Sequence, residues 1–240
     1  MAPGRLTSSA RRRLAEHQKY LAQYEPGLQL SVDEVAGEAR ARGRIMVPVG
    51  AGITRPFEIE LVYRGLDPFA TPDTYDPAGR FPPSLDRHVV GDGKFCLWLP
   101  QTAPNDFDLE EGLRRHLDRV REFLVLQLIY EDRKRRGIEP AWPGPVWDHG
   151  NAGHEQWLRE ELAGLDADQL RAFSMYLQGH QRLTGKQRCP CGSGQRAGRC
   201  HWTWFHQLRK AVTLYEPVRT ALIKLLKEHD AIPTQRDPST

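Results

Sequence analysis

The chain has 240 residues, 39% hydrophobic and 27% charged, a composition of folded globular proteins rather than disordered ones. A formal net charge of +3 is too small to imply nucleic acid by itself, no apolar run approaches the ~20 residues of a membrane span, and Met1 to Arg13 lacks the apolar core of a signal peptide. Four cysteines, three of them clustered, exclude a secreted disulfide scaffold and predict a reducing compartment, the cytoplasm.

Ser8 or Ser9 can cap a helix running to about Gln23, with Leu14, Leu21 and Tyr24 on one side and Arg11, Arg12, Arg13 and Lys19 on the other. Pro26-Gly27 ends it. Leu28, Leu30 and Val32 alternate as in a half-buried strand, Gly37 and Gly43 bracket a turn, and Arg44 to Val49 reads as a second strand. After Gly50-Ala51-Gly52, Phe57, Ile59, Leu61 and Tyr63 alternate with Glu58 and Glu60, the clearest period-two run in the chain. The pattern predicts a helix followed by a three-stranded meander. From Gly65 to Pro83, Pro68, Pro72, Pro77, Pro82 and Pro83 exclude a helix or a central strand. A Gly91-Asp92-Gly93 turn then leads into the apolar run Phe95-Cys96-Leu97-Trp98-Leu99. Asp108 and Glu111 form a capping-box pattern for a helix to about Arg135, with Leu109, Leu113, Leu117, Val120, Leu124 and Leu128 on one face. Pro140 to Pro145 precedes a boundary near Gly150. Short helices follow from about His154 to Ala163 and from Ala167 to Gln178, the second capped by Asp166 with Gln169. A last helix starts near Trp202, breaks at Pro217 and resumes to about His229.

Between these helices, Cys189 to His201 reads CPCGSGQRAGRCH. Structural zinc takes four Cys or His ligands in a tetrahedron, and Cys189, Cys191, Cys200 and His201 supply such a set around a glycine-rich turn. The stretch resembles the SEC-C motif, a short zinc-binding module known from the tail of a protein-translocation ATPase. It departs at Gln195, Ala197 and Gly198, where that family usually has lysines and an aromatic. From Gln169 to Tyr215 no acidic residue accompanies Arg171, Arg182, Lys186, Arg188, Arg196, Arg199, Arg209 and Lys210. This is either a solvated basic face or a surface for an acidic partner, with an acidic protein favoured over nucleic acid.

The remaining cysteine, Cys96, follows a helix, a meander and a proline-rich loop, and precedes a long helix. That order resembles the ubiquitin-conjugating-enzyme (UBC) fold. Asp67-Pro68-Phe69-Ala70-Thr71-Pro72 stands where the family has its Y-P-x-x-P-P turn. Gly93-Lys94-Phe95-Cys96-Leu97 looks like its G-x-I-C-L active-site run, and His88 like the His of its H-P-N triplet. The likeness spans roughly Ser8 to Arg135 and points to the looser bacterial members. Val89-Val90 replaces the Pro-Asn of the triplet, so its oxyanion-stabilising Asn is missing there. Asn105 could supply that amide, and Asp106, Asp108 or Asp92 an acid near the incoming amine. By the same resemblance His88 holds a loop. Without it, a Cys in the apolar run Phe95 to Leu99 reads first as a small buried hydrophobe.

The combined expectation is an α+β chain. Residues 1–150 form a UBC-like domain of helix, antiparallel meander and helices, 151–188 a helical connector, and 189–240 a small helical zinc knuckle. The resemblance implies that Cys96 takes a ubiquitin-like C-terminus as a thioester from an activating enzyme and passes it to an amine. It implies docking of that enzyme on the basic first helix, and a role in antiviral defence. The zinc module would recruit a partner. The rivals are an inactive UBC-fold adaptor and a nucleic-acid binder acting through the basic knuckle.

Overall fold

Helix α1 (Ser8–Tyr24) opens the computed structural model, which describes residues 7–33, 36–63, 71–99, 102, 110–139, 141–144 and 148–230. Its cap is Thr7 rather than Ser8 or Ser9: the Thr7 hydroxyl accepts from the Ala10 N–H at 3.1 Å. Ala10, Leu14 and Leu21 face inward as the periodicity requires, together with His17 and Tyr20. Two expectations about this helix fail. Tyr24 is 54% exposed, and Arg13 is buried, its guanidinium 5.5 Å from the Tyr63 ring centroid. The aromatic face desolvates the cation at modest cost, so the solvent-facing basic side is reduced to Arg11, Arg12 and Lys19.

The chain divides into two compact units, Met1–Val146 and Trp147–Thr240. The first is built on a six-stranded antiparallel sheet of β1 (Leu28–Asp33), β2 (Glu38–Gly50), β3 (Ile53–Tyr63), β4 (Asp73–Tyr75), β5 (Val89–Val90) and β6 (Lys94–Phe95). The order is β1-β2-β3-β4-β6-β5. Gly43 does not end a turn but lies inside β2, opposite Leu28. Its φ is +148°, and a Cβ there would stand 1.9 Å from the Gly27 carbonyl oxygen. A side chain would force β1 and β2 apart, which is why glycine sits at this position. Ala39, Ala41, Ile45 and Val47 of β2 and Phe57, Ile59 and Leu61 of β3 are buried on one face. Across from them lies α2 (Glu110–Arg135), whose Leu113, Leu117, Val120, Phe123 and Leu124 complete the core. Arg40–Glu60 and Arg44–Glu58 pairs lie across β2 and β3 on the exposed side.

The proline-rich passage does contain a central strand. β4 pairs with β3 on one side and β6 on the other. The four proline-free residues between Pro72 and Pro77 leave room for a three-residue strand, because Pro bars only its own position from the ladder.

In the second unit α3 (Asn151–Leu162) begins three residues before the predicted His154. α4 (Ala167–Leu177) carries the expected reciprocal capping box of Asp166 and Gln169. α5 (Trp202–Leu214) ends before Pro217, and α6 (Glu216–Asp230) takes that proline into its first turn, where its missing N–H costs nothing. Leu158, Phe173, Phe205, Val218 and Leu222 are fully buried where α3, α4, α5 and α6 meet.

Candidate metal centre and the Cys96 thiol

The knuckle is folded by a few backbone bonds. Arg188 and Arg196 form an isolated antiparallel bridge, and the Cys189 N–H donates to the Gln195 carbonyl at 2.8 Å. Between them the chain reverses through Gly192 and Gly194, at φ +75° and +73°, a region closed to most L side chains. A 3-10 turn, Ala197–Arg199, then delivers Cys200, and His201 stands at the N-terminus of α5 with its carbonyl accepting from Phe205 at 2.8 Å. Gly198 packs against Gly185, where a Cβ would come 3.0 Å from the carbonyl oxygen. This explains the small residue where the resembled module has a larger one.

The four ligand atoms lie within 4.8 Å of one another. Cys191 Sγ is 3.6 Å from Cys200 Sγ, and His201 Nδ1 is 3.4 Å from Cys189 Sγ and 3.1 Å from Cys200 Sγ. A tetrahedral zinc with ordinary bond lengths has S···S edges of about 3.8 Å and S···N edges of about 3.5 Å. The cluster fits such an ion and can bind a metal.

Residues outside the ligand set hold it in place. Gln169, already part of the α4 cap, donates to the Cys191 carbonyl at 2.7 Å. The His201 ring meets Phe173 and Trp204 edge-on at centroid distances of 6.1 and 5.5 Å. Trp204 in turn donates to Glu161 at 2.7 Å. Ser193 Oγ lies 3.2 Å from Cys191 Sγ and 3.4 Å from Cys200 Sγ. Burial pushes Cys191 up, but hydrogen bonds from Ser193, Cys189 and Cys200 more than offset it and bring the thiol down to about 6. Burial pushes Cys189 up to about 11. The set therefore favours a thiolate even before a cation arrives. The sequence gives little sign of either role: Ser193 lies two residues from Cys191, whereas Gln169 lies 22 residues from it and is legible only as the cap partner of Asp166.

Cys96 stands just past the β5–β6 hairpin. Its N–H donates to the His88 carbonyl at 2.8 Å, tying the two ends of the hairpin together. Gly93 makes the turn, with φ +84° and a would-be Cβ 3.2 Å from the Asp76 carbonyl oxygen. His88 closes a 3-10 turn, Leu85–Arg87, in the left-handed conformation at φ 56°. Its ring rests on Trp142, with centroids 4.9 Å apart, and a ring nitrogen lies within 4.8 Å of Cys96 Sγ.

The turn carrying His88 is fastened from below by Arg87. That side chain is buried, donates to Gln127 at 3.0 Å and to Glu131 at 2.6 Å, and lies over the Tyr130 ring. Gln127 returns a bond to the Arg87 carbonyl at 2.6 Å. Sequence reading missed this network, because an Arg in a loop and a Gln in a helix give no signal of meeting.

Cys96 is half-buried. Burial pushes its thiol above the ordinary range and Lys94 pulls it part of the way back. Lys94 also pairs with Asp73 at 2.6 Å, which blunts its pull. Asp92 lies in the exposed hairpin turn. Asn105, Asp106 and Asp108 lie outside the described residues. No family model, curated protein or solved structure matches the chain. Among the described residues no helix is long and apolar enough to cross a membrane.

Proposed function

We propose that this chain is a ubiquitin-conjugating-like acyltransferase whose nucleophile is Cys96, with a zinc module for partner recruitment. The observation that carries the reading is the placement of Cys96. It follows a helix, a meander and a hairpin, precedes the long helix, and stands beside a histidine held in a strained turn. In the first step the Cys96 thiolate attacks the thioester carbonyl that links a ubiquitin-like C-terminus to its activating enzyme. A new C–S bond forms, the old one breaks, and the activating enzyme's cysteine leaves as a thiolate. In the second step an amine attacks the new thioester, a C–N bond forms, the amine loses a proton, and Cys96 is released. Thioester exchange starts from an activated acyl group, so the small thiolate fraction of an unassisted Cys is sufficient. His88, with its backbone tied to Cys96, acts as a positioning residue.

Asn105 is the proposed donor to the oxyanion of the second step and Asp106 the proposed acid near the amine. Asn105→Ala should slow transfer to lysine by roughly 10²-fold with charging unchanged, as for loss of one oxyanion donor. The test of the whole reading is a thiol-cleavable adduct on Cys96 in the presence of ATP, activating enzyme and ubiquitin-like protein. The half-burial of Cys96 favours one rival, an adaptor that keeps the fold for binding. In that case Cys96→Ala keeps partner binding and no adduct forms on the parent chain.

For the metal, three thiolate-capable sulfurs and one imidazole in a tetrahedral spacing favour Zn²⁺, and the four-coordinate closed set suits a structural role. Elemental analysis of purified protein should find one zinc per chain.

A further inference from the structure

Charge is segregated within the second unit. Residues 169–215 contain eight Lys or Arg and no Asp or Glu, whereas the rest of that unit has ten Asp or Glu against five Lys or Arg. Inside the basic stretch, the bridge that opens the knuckle sets Arg188 directly opposite Arg196. Like charges directly opposite each other destabilise a strand pair. Both side chains are exposed, as are Arg182, Lys186 and Arg199. Among the described residues no carboxylate forms an ion pair with any of these five. Arg188 reaches over the outside of the loop, one guanidinium nitrogen 3.7 Å from where a Cβ on Gly194 would be.

We propose that this face docks a short acidic peptide segment of a partner protein, with Arg188 and Arg196 as a paired carboxylate clamp. Two guanidinium forks on directly opposed residues can each take a carboxylate bidentately, and an extended peptide presents same-side carboxylates roughly every 7 Å, a span that two long, exposed arginine side chains can adjust to. A long phosphate backbone fits less well. Glu161 bonds Trp204 beside His201, and Asp166 caps α4, whose Gln169 holds the Cys191 carbonyl. These carboxylates border the knuckle and would repel a polyanion running past it, while a short acidic segment ends within the basic face. The proposal is independent of the chemistry at Cys96.

Fluorescence anisotropy on the full chain decides it, using a labelled peptide of alternating Glu and Ser and a labelled oligothymidine, with metal content measured in parallel. The peptide should bind in low salt and weaken as salt is raised. Arg188→Glu with Arg196→Glu should weaken it by roughly tenfold or more, leaving metal content unchanged. Arg188→Lys with Arg196→Lys should give a smaller loss, since charge is kept and the fork removed. Arg196→Glu alone should weaken peptide binding yet leave the thermal midpoint unchanged or raised, because it turns a like-charged pair into an opposite one. Tighter binding of oligothymidine than of peptide would overturn the proposal in favour of nucleic acid. Peptide binding that neither the Glu nor the Lys double variant changes would return this stretch to a solvated basic face.

Discussion

Cys191 in the knuckle and Cys96 past its hairpin both sit on a short, glycine-turned stretch, and their surroundings treat the sulfur in opposite ways. At Cys191 neighbouring donors bring the thiol down to about 6. At Cys96 burial pushes it up, and the nearby Lys94 is itself engaged by Asp73. The first environment suits a permanent metal thiolate. The second suits a sulfur that is mostly a thiol at rest and reacts when an activated acyl group is brought to it. What separates Cys191 from Cys96 is the local supply of hydrogen-bond donors; Cys189, buried in the same knuckle, is pushed up to about 11.

The comparison is easiest to break at the knuckle. Cys191→Ser removes one ligand, and since metal-binding free energy there is local folding free energy, the knuckle should lose both metal and structure. Elemental analysis and circular dichroism should record complete metal loss with the sheet of the first unit intact. Metal retained at full stoichiometry would mean that the four residues are not the ligand set.

Next in size is the platform under His88. Arg87→Ala leaves the buried Gln127 Oε1 without its donor and Glu131 without its cation, while the backbone carbonyl at 87 still accepts from Gln127, and should cost about 1–3 kcal/mol by denaturant unfolding. The same variant should speed alkylation of Cys96 by loosening the turn that half-covers it. A neutral effect on both would show that the network does not hold the hairpin.

A smaller, graded effect belongs to the buried histidine of the first unit. Desolvation pushes His116 down to about 3, although Asp73 pulls the other way; its ring accepts or donates one bond with Thr74 at 2.8 Å. The unfolded chain protonates near 6.5 and the folded one only near 3, so below about 6.5 the unfolded state binds the extra proton. Stability present at neutral pH should therefore fall as pH drops through that window, by about 1.4 kcal/mol per pH unit from this group. His116→Gln should flatten that slope; an unchanged slope would place the acid sensitivity elsewhere.

Smallest of all is the change at Cys96 itself. Cys96→Ala removes one half-buried sulfur and should cost under about 1 kcal/mol. Iodoacetamide should react with Cys96 more slowly than with a free thiol at neutral pH, and its rate should climb at higher pH than a free thiol's, since burial raises the thiol above its ordinary range. Fast alkylation at neutral pH would contradict the contrast drawn between the two sulfurs.

The two regions also differ in how much of them the sequence discloses. Period-two alternation located β3, and the spacing of Cys189, Cys191, Cys200 and His201 anticipated a cluster that the fold does assemble. Both signals are local, carried by residues close in the chain. What stayed hidden depends on distant encounters. Arg13 is inside because Tyr63, fifty residues on, offers it a ring face. Arg87 is inside because Gln127 and Glu131 lie one helix away. β4 gives no sequence signal because a three-residue strand is too short for a periodicity to register. Gly43 was misread because a glycine needed for close strand crossing carries the same letter as one needed for a turn.

The central proposal, that Cys96 carries an acyl group, is tested most directly by incubating the full chain with ATP, an activating enzyme and a ubiquitin-like protein. The products are then separated with and without reducing agent. The proposed chemistry predicts an adduct on the parent chain that thiols cleave, its replacement by a thiol-resistant ester or its loss in Cys96→Ser, and its absence in Cys96→Ala. An adduct that persists in Cys96→Ala, or no adduct on a parent chain that binds both partners, would contradict it.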